Sequence, residues 1–308
     1  MIIFEGASQL KEELKNPVVT IGNFDGVHLG HQAILKKVIE KAHETGGLSV
    51  VYTFDPHPLK VLDPERFFPL ITTREEKEKV IEWTGIDVLV REPFTKEFAQ
   101  LSTDAFVSDV RCNQIHAKEV FIGPDYRFGK GRTGTTDLLK CLGEGCGLKV
   151  EILEKVEVEG KEVRSTVIRN CVLKGEVREA AKFLGRSYTL SGKVVRGKNI
   201  GKTTLGIPTA NIEPEKELYP RSGIFAVKVI IGGNYAQGVM NIGANPTFPE
   251  KSFSLEVHIL DFDRHIYGST MEVIFIEKLR EEKKFETPEL LVAQVKKDII
   301  QARRIFET

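Results

Sequence analysis

Apolar and polar residues follow two different patterns along this 308-residue chain. From residue 17 to about residue 154, short apolar runs typical of buried strands alternate with segments whose apolar residues recur at helical spacing. The apolar runs lie at residues 17–21, 48–54, 87–90, 119–122 and 148–153. Strands that alternate with helices predict a Rossmann-like α/β domain with a parallel, doubly wound sheet, whose site lies at the carboxyl ends of the strands.

Two helices of this region have specific signals. An apolar stripe predicts a helix that begins just after His31. The stripe consists of Ile34, Leu35, Val38, Ile39 and Ala42. Thr73 and Glu76 have the spacing of a capping box, which predicts the start of a second helix. The residues of this helix that we expect to pack into the core are Val80, Ile81 and Trp83.

The pattern changes near residue 185. A hairpin around residues 159–160 and two short helical segments precede the change, and β-rich runs split by glycine turns follow it. These runs lie at residues 191–195, 223–231, 235–240, 253–260 and 271–276. They predict a small antiparallel barrel, and Thr287-Pro288 predicts the start of a final helix that covers it. We therefore expect two domains, at residues 1–185 and 186–308.

Composition argues against several classes of protein. The 44 Lys and Arg balance the 44 Asp and Glu, so no net positive charge favours a nucleic-acid or membrane partner. No apolar run approaches the ~20 residues of a membrane span, and the first residues do not resemble a signal peptide. The four cysteines form no CxxC pair, which disfavours structural zinc. We expect a cytoplasmic protein that acts on small molecules; the sequence carries no signal of its oligomeric state.

A glycine-rich turn joins the first apolar run to the first helix. It contains Gly22, Gly26 and Gly30 together with His28 and His31. A helix N-terminus has unpaired N–H groups and about half a positive charge, so it stabilises an anion. Both imidazoles, with an ordinary pKa of about 6.5, can direct donors at that anion and become cationic beside a polyphosphate. A capped turn with two surface histidines is the alternative.

The turn resembles the HxGH signature of nucleotidylyltransferases, in the form found in FMN adenylyltransferases. Three later segments resemble the same family in the same order: FDPHP at residues 54–58, IGPDYRFG at residues 122–129 and RSTVIR at residues 164–169. Arg164 stands where the family usually has a serine, whereas the next residues match.

This resemblance implies that His28 and His31 stabilise the transition state of adenylyl transfer. The other nucleotide-binding residues that it implies are Gly22, Asn23, Phe24, Asp25, Gly30, Ser165, Thr166 and Arg169. The residues that it suggests for the FMN pocket are Phe54, Pro56, His57, Pro58, Asp125 and Phe128. An isoalloxazine ring needs flat apolar walls and a few polar anchors. Phe54 and Phe128 are equally compatible with a core position.

Basic residues alternate with glycines at the start of the second domain. The pair Gly197 and Gly201 encloses three residues rather than the four of a P-loop. Gly192 and Gly197 enclose four, but Lys198-Asn199 follows instead of Gly-Lys-Ser/Thr. The stretch is therefore not a P-loop.

The same stretch resembles the riboflavin kinase signature, in which a glycine loop precedes LGxPTAN, here residues 205–211. Residues 238–243, 245–247 and 255–263 match later parts of that family. The resemblance implies that Thr209 and Asn211 hold Mg²⁺, which prefers oxygen ligands, and that Glu256 is the general base. The nucleotide-binding residues that we expect here are Gly192, Lys193, Gly197 and Gly201. His258 has the same strand parity as Glu256. Without the resemblance, these residues fit an ordinary turn and a solvated strand.

Both resemblances together imply an enzyme with two activities. The barrel would phosphorylate riboflavin with ATP, and the first domain would adenylylate the resulting FMN to FAD with release of pyrophosphate. One alternative is a nucleotidylyltransferase for another phosphorylated metabolite, with a regulatory barrel. Another is a flavin carrier or a nucleic-acid-binding barrel, although neutral charge and few aromatic residues near residues 193–202 weigh against nucleic acid.

Overall fold

The computed structural model describes residues 1–10, 13–108, 115–196, 207–243 and 254–307. Backbone contacts divide the chain into two compact units. Unit 1 contains Met1–Phe68 and Thr72–Arg164, and unit 2 contains Pro69–Ile71 and Ser165–Thr308. This division assigns residues 165–184 to unit 2, and the domain boundary expected near residue 185 stays a prediction.

Unit 1 is built on a parallel sheet with the strand order β1-β4-β3-β2-β5-β6. Its strands are β1 (Ile2–Glu5), β2 (Val18–Ile21), β3 (Ser49–Asp55), β4 (Val88–Pro93), β5 (Glu119–Ile122) and β6 (Lys149–Ile152). Its helices are α1 (Leu29–Thr45), α2 (Pro58–Leu62), α3 (Arg74–Trp83), α4 (Thr103–Ser108) and α5 (Thr136–Cys146). The chain order reverses between β2 and β5, where open α/β sheets bind ligands. The predicted doubly wound sheet is confirmed.

Helices cover both faces of this sheet. On one face, Leu35, Val38 and Ala42 of α1 pack in a core that also contains Val80 and Ile81 of α3. The capping box is confirmed, because the Thr73 side chain accepts from Glu76 N–H and the Glu76 side chain accepts from Thr73 N–H. The predicted hairpin is also present, as β7 (Glu157–Val158) and β8 (Lys161–Glu162).

The prediction that Trp83 packs into the core is wrong, because its side chain is 65% exposed. Trp83 is the last residue of α3 and lies two positions beyond Ile81, about 200° further around the helix. This rotation turns the indole away from the face that Val80 and Ile81 bury. The ring instead contacts a cation, with Lys79 Nζ 5.1 Å from its centroid.

Unit 2 contains a closed antiparallel barrel with the strand order β10-β13-β12-β11-β14-β9. Its strands are β9 (Thr189–Val195), β10 (Ala210–Pro214), β11 (Gly223–Ile231), β12 (Asn234–Gly243), β13 (Ser254–Ile259) and β14 (Thr270–Arg280). Its helices are α6 (Ser165–Lys174), α7 (Val177–Leu184) and α8 (Pro288–Phe306). The predicted barrel is confirmed, and β10 is a strand that the sequence pattern did not indicate.

The final helix covers part of the barrel, as predicted. Thr287 caps α8 by accepting from Leu290 N–H. Ala302 of α8 packs against Ile224, Ala226 and Val239 of the barrel. A partly buried ion pair adds to this contact. The carboxylate of Asp298 accepts from Nε and Nη2 of Arg280 at distances between 2.8 and 3.1 Å.

No helix in the described ranges is long and apolar enough to cross a membrane. Cys141, Cys146 and Cys171 are free thiols. Cys112 lies outside the described residues.

Candidate active sites

Helix α1 begins at Leu29, three residues earlier than predicted, and His28 is its N-cap. The Nδ1 atom of His28 accepts from the backbone N–H of His31 at 3.3 Å. Because Nδ1 is the acceptor, the neutral ring carries its proton on Nε2. A Cβ at Gly30 would lie 3.2 Å from the His28 ring, so glycine lets the imidazole lie close to the first turn.

The two imidazoles are stacked, with 3.6 Å between ring centroids and 15° between planes. Phe24 contacts the edge of His31 with 5.1 Å between centroids. The Nδ1 atom of His31 is buried and has no hydrogen-bond partner among the described residues. The pKa of His31 lies well below its ordinary value of 6.5, first because it is buried and then because His28 and Lys77 repel a charged ring. The ring of His31 is therefore uncharged at neutral pH.

Asp25 is buried and anchors the turn that precedes α1. Its Oδ1 accepts from the backbone N–H of Thr72 at 3.3 Å. The Thr72 hydroxyl accepts in turn from Gly26 N–H at 3.1 Å. Asp25 thus ties the glycine-rich turn to the segment that leads into α3, and we find its carboxylate bonded to protein rather than directed into open space.

Lys77 of α3 supports the same turn, and the sequence analysis did not identify it. Its Nζ donates to Thr53 Oγ1 at 3.3 Å and to the Phe54 carbonyl at 3.4 Å. The Thr53 hydroxyl donates to the Asn23 carbonyl at 3.3 Å. One sequence signal could have identified Lys77: it lies three positions before Val80, and therefore on the apolar face of the same helix.

The residues suggested for the FMN pocket occupy different environments in unit 1. Phe54 and Phe128 belong to the buried core. His57 is the N-cap of α2, and its Nδ1 accepts from Leu59 N–H at 3.2 Å. Asp125 is exposed and pairs with Arg164 Nη2 at 3.2 Å. Of the two alternatives given for Phe54 and Phe128, the structure shows the core position.

Ser165, Thr166 and Arg169 lie at the start of α6 in unit 2. Thr166 is exposed and Ser165 half-buried. The side chain of Arg169 is buried, and its Nε donates to the Pro69 carbonyl at 2.9 Å.

In the barrel, strand register aligns three polar side chains. Glu256 of β13 lies beside Asn211 of β10 on one side and Asn241 of β12 on the other. The Thr209 hydroxyl donates to Glu256 Oε2 at 3.2 Å, and the Ser254 hydroxyl donates to Oε1 at 2.8 Å. The structure therefore brings the predicted residues Thr209, Asn211 and Glu256 together. The sequence analysis missed Asn241 and Ser254. Ser254 lies two residues before Glu256 on the same strand, and Asn241 is the partner of Glu256 on the neighbouring strand, so strand pairing could have indicated both.

This donor set suits a hard cation. The Thr209 hydroxyl, the Asn211 amide and the Glu256 carboxylate all offer oxygen atoms, which Mg²⁺ prefers and usually completes with water and phosphate oxygens. Within the described ranges, no group of three or more His, Cys, Asp or Glu side chains is arranged so that it could hold a metal ion. A cation with few protein carboxylates therefore fits this group better than a zinc ion does.

His258 positions the loop that carries Thr209. Its Nδ1 lies 2.8 Å from the Pro208 carbonyl, and this ring nitrogen must be the donor because the carbonyl can only accept. The contact places Pro208 at the start of β10, next to the polar group around Glu256.

A cavity of about 300 Å³ lies beside this group. Thr209 and Pro208 line one side, and residues 262–267 line another. Tyr267 forms an aromatic surface there, with the Arg196 guanidinium 5.9 Å from its ring centroid. The cavity is large enough for one ring system of a small molecule.

The glycine-rich loop of the kinase signature is covered only in part. Gly197, Gly201 and residues 244–253 lie outside the described residues. Gly192 is described on β9, where an added Cβ would collide with the Glu213 carbonyl of β10. Close strand approach thus requires this glycine, whereas Lys193 on the same strand is exposed.

Comparisons with known proteins agree with the two-unit architecture. A family model described as FAD synthetase matches residues 10–167, and one described as riboflavin kinase matches residues 184–306. The bifunctional riboflavin kinase/FMN adenylyltransferase of Buchnera aphidicola is 35% identical over 99% of both chains. The protein of the same name from Listeria monocytogenes is 39% identical over 94% of this chain and 93% of its own.

One solved structure matches nearly the whole chain. It is described as a macrolide-efflux protein from Streptococcus pneumoniae, and it covers 98% of both chains with 32% identity and a TM-score of 0.87. The likeness shows that the fold of the whole chain occurs in an experimentally determined structure.

Proposed function

This chain belongs to the family of bifunctional riboflavin kinases/FMN adenylyltransferases, and we propose how its residues divide the two reactions. The enzyme phosphorylates riboflavin to FMN with ATP, and it adenylylates FMN with ATP to give FAD and pyrophosphate. We assign adenylyl transfer to the α/β domain and phosphorylation to the barrel, because the two family models match those regions. Membership of this family argues against a regulatory barrel and against a flavin carrier.

For adenylyl transfer, we propose that the ATP triphosphate binds at the N-terminus of α1. An FMN phosphate oxygen forms a bond to the α-phosphorus, and the bond to the oxygen that bridges the α- and β-phosphates breaks, so that pyrophosphate leaves. His28 and His31 stabilise the charge that develops in this step. The observation that supports this role is the cap contact of His28, which leaves its proton on Nε2. No covalent enzyme intermediate is required.

Further contacts in this reaction are proposed from the family resemblance. Ser165, Thr166 and Arg169 bind the β- and γ-phosphates, to which an arginine presents a planar fork of donors. Pro56, His57, Pro58 and Asp125 contact FMN. Phe54 and Phe128 act from the core as supporting walls, in keeping with their burial.

For riboflavin phosphorylation, we propose Glu256 as the general base. It takes the proton of the 5′-hydroxyl of the ribityl chain while that oxygen bonds to the γ-phosphorus of ATP and ADP leaves. The hydroxyls of Thr209 and Ser254 hold both carboxylate oxygens in place. Thr209 and Asn211 would hold Mg²⁺, which neutralises phosphate charge when bound. The Thr209 hydroxyl can offer a lone pair to the cation while it donates to Glu256.

The cavity beside Thr209 would accommodate the ring system of one kinase substrate, stacked on Tyr267.

The proposed substrates, riboflavin, FMN and ATP, are small molecules, and we propose that the enzyme works in the cytoplasm.

A single assay tests this assignment. The full chain is mixed with riboflavin, ATP and magnesium, and the flavins are separated by chromatography over time. We expect FMN to form first and FAD to follow. FMN supplied with ATP should yield FAD and pyrophosphate directly. Accumulation of FMN without any FAD would contradict the proposed adenylyl transfer.

A further inference from the structure

Lys77 is a buried cation for which the proposed mechanism has no use. Lys77 is 8% exposed. Its ammonium donates to two neutral acceptors, Thr53 Oγ1 and the Phe54 carbonyl. Within the part of the chain that the structure describes, no carboxylate oxygen lies within 4.0 Å of its Nζ. An ammonium removed from water without a carboxylate in direct contact destabilises the fold. A buried ammonium of this kind attracts an anionic ligand.

Hydrogen bonds connect Lys77 to the glycine-rich turn. Thr53 Oγ1 accepts from Lys77 and donates to the Asn23 carbonyl, so two hydrogen bonds separate the ammonium from the turn. The charge of Lys77 also reaches His31, where it contributes to a pKa below the ordinary value. The hydrogen bonds thus link this cation to the glycine-rich turn at Asn23, and its charge acts on His31.

We propose that Lys77 is a positioning residue for adenylyl transfer, which holds the Asn23 carbonyl through Thr53 and places a positive charge near His31. The inference rests on the proposed function of those two histidines. An ammonium that already carries its proton attracts the triphosphate without proton uptake. Together with burial and His28, it keeps the His31 ring neutral until the anion arrives, so that the ring nitrogens remain available for hydrogen bonds to phosphate oxygens.

The other charged groups around this pair act on Lys77. Burial lowers the pKa of Lys77 below its ordinary value, and Asp55 at the end of β3 and Asp25 in the turn oppose this effect without cancelling it. Asp55 is shared with Arg74, whose Nη1 lies 3.7 Å from Oδ2. On α1, His28 is the titratable group that acts on His31. The two carboxylates therefore favour the charged form of Lys77.

The test compares Lys77→Met with two controls in the full chain. Lys77→Arg keeps the charge, and Lys79→Met removes an exposed charge from the same helix. The titration of the His31 imidazole is followed by NMR in the free protein. We expect the His31 pKa to be higher in the Lys77→Met variant than in the wild type, because a nearby like charge is lost. Both controls should titrate like the wild type.

The pH profile of kcat/KM for FAD formation from FMN provides the functional readout, since this parameter reports groups of the free enzyme. The limb that depends on His31 should move to higher pH in Lys77→Met by the same amount. FMN formation from riboflavin should not change. An unmoved His31 titration in a folded Lys77→Met variant overturns the inference, even where FAD formation falls.

A second variant covers the case in which Lys77→Met does not fold. Thr53→Val keeps the shape of the side chain at position 53 and leaves Lys77 in place. It removes the hydroxyl that links Lys77 to the Asn23 carbonyl. We expect KM for ATP in adenylyl transfer to rise about tenfold, with an unchanged His31 titration. An unchanged KM overturns the relay. Full FAD formation by a His28→Ala variant would instead reject the proposed function, so the two failures are distinguishable.

Discussion

The Nδ1 atom of His28 accepts the backbone N–H of His31 at 3.3 Å, while the two rings stack with 3.6 Å between their centroids. One side chain therefore caps the helix and presents a donor at its positive end at the same time. This arrangement is suited to polyphosphate, because the fixed tautomer of His28 and the dipole of α1 favour negative charge at the same place.

Replacement of His28 by alanine should separate the two activities. We expect FAD formation from FMN to fall about 10²-fold, the order of effect seen when one donor to a transition state is lost. FMN formation from riboflavin should persist, because its residues lie in the barrel. Initial rates of both reactions, measured by chromatography, test this. His43→Ala, an exposed histidine of the same helix, is the control. Equal loss of both activities would show that the sites are not independent.

The converse is expected for the barrel. Thr209→Val and Asn211→Ala remove oxygen donors that we assign to Mg²⁺, so FMN formation should fall by about 10²-fold or more. FAD formation from supplied FMN should stay near the wild-type rate. The magnesium dependence of each activity is measured in parallel, and Thr270→Ala, on the exposed end of β14, serves as the control. Normal rates of FMN formation in both variants would refute the metal assignment.

His31 should make the stability of the protein sensitive to acid. Its pKa in the folded protein is below the ordinary 6.5 because of burial, and then because of His28 and Lys77. The unfolded chain therefore binds a proton that the folded chain excludes, and stability is lost as the pH falls below about 6.5, by up to about 1.4 kcal/mol per pH unit. Thermal unfolding at about pH 7.5 and about pH 5.5 measures the effect. A His31→Gln variant should lose less stability over this interval; an equal loss would assign the acid sensitivity to other groups.

The ion pair between Arg280 and Asp298 should stabilise the contact of α8 with the barrel. Asp298 is 2% exposed and accepts from Arg280 and from Gln294 Nε2. Asp298→Ala leaves the arginine without its partner and should cost about 3 kcal/mol. Denaturant unfolding of the full chain measures this cost. Lys297→Ala, an exposed neighbour, should stay within about 0.5 kcal/mol of the wild type. A similarly small effect of Asp298→Ala would mean that solvent replaces the pair.

Elements with strong periodicity were predicted well from the sequence. The pattern placed β5 and β11 at their observed bounds, because apolar runs between glycine or polar turns mark buried strands. It missed β1, which has exposed positions at an edge of the sheet, and β10, which contains a proline and an asparagine. Such strands are held by pairing with neighbours rather than by their own pattern.

The candidate sites show the same division. The glycine-rich turn indicated His28 and His31, whereas Thr209 and Glu256 were predicted from the family resemblance and not from their spacing. Lys77 is far from the turn in sequence, and the packing of α3 against β3 brings it close in space. The cap contact of His28 also shifted the start of α1, since a histidine is an unusual N-cap residue. Residues recruited by tertiary contacts require the structure.

A crystal structure of the full chain with FMN and a non-hydrolysable ATP analogue tests the central claim most directly. The account predicts the triphosphate at the N-terminus of α1, with a phosphate oxygen within hydrogen-bond distance of Nε2 of His28. A triphosphate bound away from both imidazoles would contradict it.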